Sequence, residues 1–193
     1  EQSAASARST DSERGASTGR ARIAHGIIGY ADFNLGAEVD ATLEGHLVAS
    51  PEHFRGIRHM TRWHEAAEDM DIPPRSPRNV MSNARWREGF SRLAKYQLPF
   101  DAWFVFTQYD ELVDLARAFP EQTIVINHLG GVSGSGPYTG QRDDEVFNAW
   151  KKGVANAAAC PNVYMKLGGL GQPRVGFGWE RREKPPGSEE LAR

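Results

Sequence analysis

Asn127 and His128 close an apolar run, Thr123-Ile124-Val125-Ile126, and Gly130-Gly131 turn the chain directly afterwards. That run is β-branched at every position, which suits a buried strand. A polar pair delivered where such a strand stops is how a parallel barrel presents chemistry at its C-terminal rim. An imidazole placed there can bind a metal, move a proton or hold an anion. The alternative is a histidine that only satisfies a strand end. Arg58 and His59 finish a second run, Phe54-Arg55-Gly56-Ile57-Arg58-His59. A rim arginine suits a substrate carboxylate through a bidentate contact. Side chains alternate along a strand, so at most one of the two faces the interior. His59 is favoured for that place, its alternative being a helix-facing or loop-bonded imidazole. Lys166 sits among apolar neighbours in Asn162–Leu167, where a charge must be paired or reach the rim. Contact with an acidic substrate and a structural ion pair both fit it.

The remaining histidines suggest less. His25 reads as a packing residue, His46 lies on a helix, and His53 and His64 fall in loop-like, solvent-exposed sequence. His64-Glu65 with Glu68-Asp69 reads as a solvated charge run rather than a metal cluster. Trp63 and Trp86 flank a proline-rich insert, where a pocket wall and core packing compete. The loop Gly130–Gly136 has Thr139 where a dinucleotide fingerprint needs glycine, and no Lys-Ser/Thr follows as a phosphate loop requires. It is read as backbone freedom at the rim.

These residues need elements to hold them. Strands are predicted over residues 22–30, 54–59, 100–106, 123–126 and 162–167. Between them, Val39, Leu43 and Leu47 repeat at helical spacing, as do Trp86, Phe90 and Leu93 after a Ser82 N-cap. Leu112, Leu115, Ala116 and Phe119 mark a third helix. Val146, Trp150 and Val154 mark a fourth, opened by Asp143, Asp144 and Glu145 at its positive dipole end. Residues 60–81 form a polar insert with Pro73, Pro74 and Pro77, and Ser188–Leu191 looks like the start of another helix. Strands alternating with helices predict an α/β protein with parallel strands. An incomplete (β/α)8 TIM barrel is the first reading, and a five-stranded doubly wound sheet competes with it. A complete barrel takes about 250 residues, against 193 here. Residues 1–21 are read as a flexible N-terminal segment and residues 22–193 as the partial barrel domain.

Composition narrows the partners. The net charge of −2 gives no basic field for nucleic acid or an anionic membrane. No apolar run reaches the roughly 20 residues of a membrane span. The single cysteine, Cys160, excludes an internal disulfide and a cysteine-based zinc site. No signal peptide opens the chain, so a cytoplasmic protein is expected.

Four collinear segments, Phe54–His59, Phe100–Trp103, Thr123–Gly131 (TIVINHLGG) and Asn162–Leu170 (NVYMKLGGL), resemble the amidohydrolase-related (amidohydrolase 2) family. The resemblance is to the branch holding 2-pyrone-4,6-dicarboxylate lactonase and sugar-lactone hydrolases, and it runs from Arg22 to Arg193. It implies a (β/α)8 barrel that hydrolyses lactones or related substrates. Some members use a divalent metal, and the pyrone lactonases do without one. Matching the family's sixth-strand histidine to His128 makes the five strands barrel strands three to seven. The His-x-His pair of the first strand and the aspartate of the eighth then have no counterpart in this chain, which is read as a piece of a longer protein. An aromatic-His-Pro-Gln pattern of the fifth strand meets Val105-Phe106-Thr107-Gln108. Phe106 stands in place of the histidine, and Gln108 matches the glutamine, as a substrate contact or a loop-orienting residue.

The implied reaction is water attack on a small acidic lactone or related carbonyl compound at the rim. Such hydrolysis needs an activated water, a polarised carbonyl and a stabilised oxyanion. His128 would polarise the carbonyl or ligate zinc or manganese, and Arg58, His59, Gln108 and Lys166 would bind substrate. A small-molecule substrate and homo-oligomerisation are the partner expectations. The alternative is a truncated, inactive member that serves as a structural or interaction domain.

Overall fold

The computed structural model describes residues 25–70, 76–140 and 145–191. The expectations for residues 1–21, for the start of the first strand, and for Pro73, Pro74, Asp143 and Asp144 lie outside the described residues.

Five strands form a single sheet: β1 (Ile27–Gly29), β2 (Phe54–Met60), β3 (Phe100–Trp103), β4 (Ile124–Ile126) and β5 (Val163–Met165). Helices α1 (Asp40–Ala49), α2 (Ala84–Lys95), α3 (Tyr109–Ala118) and α4 (Phe147–Ala158) connect them, and α5 (Ser188–Leu191) follows β5. Every pairing is parallel, and the strands lie side by side in chain order. A doubly wound sheet reverses its strand order at a switch point and covers both faces with helices. Among the described residues the strand order does not reverse. One row across the sheet, Ile57, Phe100 and Ile124, is fully buried, as are Ala102 and Ile126. The opposite row, Arg58, Asp101, Val125 and Tyr164, leads from a buried carboxylate to an exposed tyrosine. The architecture is an arc of parallel strands with helices on its outside, as in part of a barrel.

The core lies between the sheet and α2. Trp86 stacks on Phe90 with ring centroids 5.4 Å apart, and Phe33 meets Trp86 edge-on at 5.2 Å. The 3-10 segment Phe33–Val39 presses on α2 so closely that a Cβ on Gly89 would lie 2.3 Å from the Phe33 carbonyl oxygen. Alanine favours a helix over glycine by about 1 kcal/mol, but overpacking against backbone costs about 1–3 kcal/mol or more. Gly89→Ala is therefore expected to lower stability in urea unfolding. An unchanged midpoint would mean that α2 and the segment separate freely.

Boundaries differ from expectation in small ways. Asn83, not Ser82, caps α2: its Oδ1 accepts the Trp86 N–H at 3.1 Å, while Ser82 ends the preceding 3-10 turn. β3 stops at Trp103, and Phe106–Gln108 form a 3-10 turn leading into α3. Lys166 lies just beyond β5 rather than inside it. Among the described residues, no helix is long and apolar enough to cross a membrane.

Candidate functional site

The register of the sheet decides which side chains meet. Arg58 and Asp101 are cross-strand partners on the face away from the helices, and Trp103 lies two residues further along the same face. Asp101 is nearly fully buried, and its Oδ2 accepts from Arg58 Nη2 at 2.8 Å and from Lys166 Nζ at 2.7 Å. Its Oδ1 is buried without a partner among the described residues. Two cations thus lean on one oxygen of one carboxylate, while their own side chains remain 35% and 45% exposed.

Trp103 gathers further positive charge. The Arg62 guanidinium lies over its ring at 4.1 Å from the centroid, with Arg58 and Arg174 each at 5.7 Å. Such stacking suits arginine in a dry setting. Arg174 comes from the loop after β5, and the glycine-rich loop after β4 holds it in place. The Gly134 N–H and the Ser133 hydroxyl both donate to the Arg174 carbonyl, at 2.9 and 3.3 Å. Trp103 Nε1, Arg174 Nε and Asn127 Nδ2 are buried donors without hydrogen-bond partners among the described residues. Buried donors of this kind are rare in proteins and call for an explanation.

His128 stands beside this group. Its ring meets Trp103 edge-on, with centroids 5.6 Å apart. Burial pushes its pKa below the ordinary histidine value, and Arg174, Arg58 and Lys166 push the same way against the opposing pull of Asp101. The imidazole is therefore neutral at pH 7, free to take up a proton or to donate one N–H. Its backbone is left-handed, with φ of 47°, and Leu129 follows at 56° before Gly130 at 74° and Gly131 at 63°. Each non-glycine residue in that region costs about 1–2 kcal/mol, so the turn is held by its surroundings.

The other expected residues are placed as follows. His59 does not face the rim. It lies in the helix-facing row beside Ala102, its ring packs against Phe33 and Trp86, and its Nδ1 accepts the Phe33 N–H at 3.3 Å. Arg58, its neighbour, takes the open face instead. Gln108 is buried and ties loops together: its Oε1 accepts from the Trp63 and Val105 N–H groups, and its Nε2 donates to the Thr61 carbonyl. Phe106 is a packing residue against Tyr138. His64 is buried rather than solvated, with Nε2 2.9 Å from the Tyr138 hydroxyl. His25 is exposed rather than packed.

Asp101, Trp103, Arg62 and Arg174 were not singled out from the sequence. Asp101 carried a readable signal, a lone carboxylate inside the apolar run Phe100–Phe106. Arg62 and Arg174 sit in loops, where no periodicity points to them.

Zinc or manganese usually needs three or more protein ligands. Among the described residues, no three His, Cys, Asp or Glu side chains converge. The charges that shift His128 are three cations and one aspartate already shared by two of them. These residues by themselves do not fit a divalent metal.

A family model described as Amidohydrolase matches residues 4–192. A Sinorhizobium fredii protein with the description "Uncharacterized protein y4mH" is 34% identical over 167 residues, 86% of this chain and 50% of that one. The L-fucono-1,5-lactonase of Burkholderia ambifaria is 28% identical over 146 residues, 75% of this chain and 42% of that enzyme. The chain thus spans about half the length of the relatives it matches. In fold it is similar to a crystal structure of an amidohydrolase from Burkholderia multivorans with bound zinc, with a TM-score of 0.63 at 17% identity. That likeness covers 87% of this chain and 50% of the other.

Proposed function

The chain belongs to the amidohydrolase family, and from that premise we propose that it carries part of the rim of a hydrolase acting on a small, anionic lactone or related carbonyl compound. The observation that carries this reading is the cationic group around Trp103, with Arg58, Lys166 and Arg174 beside a neutral His128. Arg58 and Lys166 are anchored on Asp101 yet partly exposed, so they can turn toward a substrate carboxylate. His128 would polarise the lactone carbonyl or take a proton from the attacking water. The lactonase likeness agrees in reaction class.

A metal in the whole protein would take His128 as a ligand from this segment and would supply Lewis-acid polarisation; the described residues do not complete its coordination, and no step above passes through it. The alternative of an inactive structural domain is less favoured. Three buried donors with no partner among the described residues, beside a carboxylate shared by two cations, are a costly arrangement that a purely structural role does not explain.

A panel of lactones matched in ring size, with and without a carboxylate, tests the reading. Carboxylate-bearing members are expected to be turned over with kcat/KM at least about ten-fold higher, a preference that shrinks as salt screens the rim cations. Arg58→Ala should erase it, mainly by raising KM. Equal turnover of neutral lactones would remove the anionic substrate, and no turnover of any lactone would remove the reaction.

A further inference from the structure

The helix that follows His128 reaches back to the turn that carries it. Trp150, in the first turn of α4, donates its Nε1–H to the Leu129 carbonyl at 2.6 Å. Leu129 is the second of four consecutive left-handed residues that begin at His128. Inside the turn, a Cβ on Gly130 would fall 1.8 Å from the Tyr109 hydroxyl, and one on Gly131 would fall 1.9 Å from the Phe104 carbonyl oxygen. The turn is thus pressed onto Tyr109 and the end of β3. α4 comes equally close from the other side, because a Cβ on Gly153 would lie 2.3 Å from the Tyr109 ring. Gly153 follows Trp150 by three residues, on the same face of the helix. The missing side chain at 153 is what lets α4 sit deep enough for the Trp150 indole to reach Leu129.

We propose that Trp150 is the positioning residue for His128, locking the left-handed turn through the Leu129 carbonyl with Tyr109 as its base. The turn's own hydrogen bonds are few, the Gly130 N–H donating to the Asn127 carbonyl at 3.0 Å and the Gly131 N–H to the His128 carbonyl at 3.3 Å; from outside, the Leu129 N–H donates to the Lys166 carbonyl at 3.3 Å and the Gly131 carbonyl accepts the Phe106 N–H at 3.2 Å. Two non-glycine residues in a disfavoured conformation need a restraint from outside, and the indole N–H supplies a short one. A looser turn would let the imidazole swing away from Trp103 while leaving Arg58 and Asp101 where they are. Positioning of the turn can be read without any reaction; its effect on turnover rests on the hydrolase reading above.

Hydrogen exchange followed by mass spectrometry on the 193-residue chain tests this with Trp150→Phe, which keeps most of the packing and removes the donor. The expected result is at least ten-fold faster exchange in the peptide carrying residues 128–131, with exchange across β2 and β3 unchanged. Unchanged exchange in that peptide would overturn the proposal. Should Trp150→Phe fail to fold, Tyr109→Phe removes only the hydroxyl against Gly130 and should speed the same peptide to a smaller degree; no change there would also overturn it. In protein that hydrolyses a lactone, Trp150→Phe should lower kcat about ten-fold with KM within two-fold. A rise in KM alone would assign Trp150 to substrate binding instead. If wild-type protein hydrolyses no lactone, the hydrolase reading fails, and the exchange result still decides the restraint.

Discussion

Asp101→Ala is expected to lower the stability of the chain by about 3 kcal/mol, in the roughly 3–5 kcal/mol range for breaking a buried ion pair by removing one partner. Asp101 is nearly fully buried, and its Oδ2 receives Arg58 at 2.8 Å and Lys166 at 2.7 Å. Without it, two cations face each other across the sheet with nothing between them. The loss should fall toward the lower end of the range, because both side chains keep partial access to water, which screens exposed charge. Asp101→Asn should cost less, since the amide oxygen still accepts one bond. A double-mutant cycle with Lys166→Met separates the pair from the rest of the site. If the cations hold Asp101, removing Lys166 should cost much less in the Asp101→Ala background than in the wild type. A loss below about 0.5 kcal/mol in urea unfolding, the size of an ordinary surface change, would mean that Asp101 is not the anchor of the cluster. The same variant bears on binding. Asp101 competes with a substrate carboxylate for Arg58 and Lys166, so its removal should tighten binding of an anionic ligand while it weakens the fold.

The parts of this site that were legible in the sequence are those set by local pattern. The apolar run ending at Asn127-His128 placed the imidazole at the end of β4, and the helical stripes placed α2, α3 and α4 to within a few residues. The choice between Arg58 and His59 was not legible, because period two states that neighbours oppose each other without stating which faces inward. That sign is set by Phe33 and Trp86, which are distant in sequence and make an aromatic seat for His59. β3 was read as three residues too long, because Phe104, Val105 and Phe106 are buried for tertiary reasons after the ladder has ended. Arg62 and Arg174 come from loops whose course depends on backbone bonds such as Gly134 to Arg174. Lys166 was readable as a charge needing a partner, and the partner is Asp101, across the intervening strand β4.

His128→Ala is expected to lower kcat on a carboxylate-bearing lactone by about 10²–10⁴, the usual contribution of a positioned acid or base, with KM changed by less than about three-fold. Binding of the anion is assigned to Arg58, Lys166 and Arg174, and the chemical step to His128, so the two parameters should separate by residue. Arg58→Ala should move KM, and His128→Ala should move kcat. His25→Ala is the matched control, an exposed histidine just before β1. The separation has a physical basis in the charge around His128. Three neighbouring cations disfavour its protonation in the ground state, yet the negative charge that develops on a lactone carbonyl during attack would offset them. An imidazole that is neutral before reaction, and better able to hold a proton as the oxyanion forms, stabilises the transition state more than the bound substrate. If His128→Ala and His25→Ala gave equal losses, His128 would be a strand-end residue and the chemistry would have to come from elsewhere in the protein. If His128→Ala raised KM with kcat unchanged, the imidazole would belong with the arginines as a substrate contact.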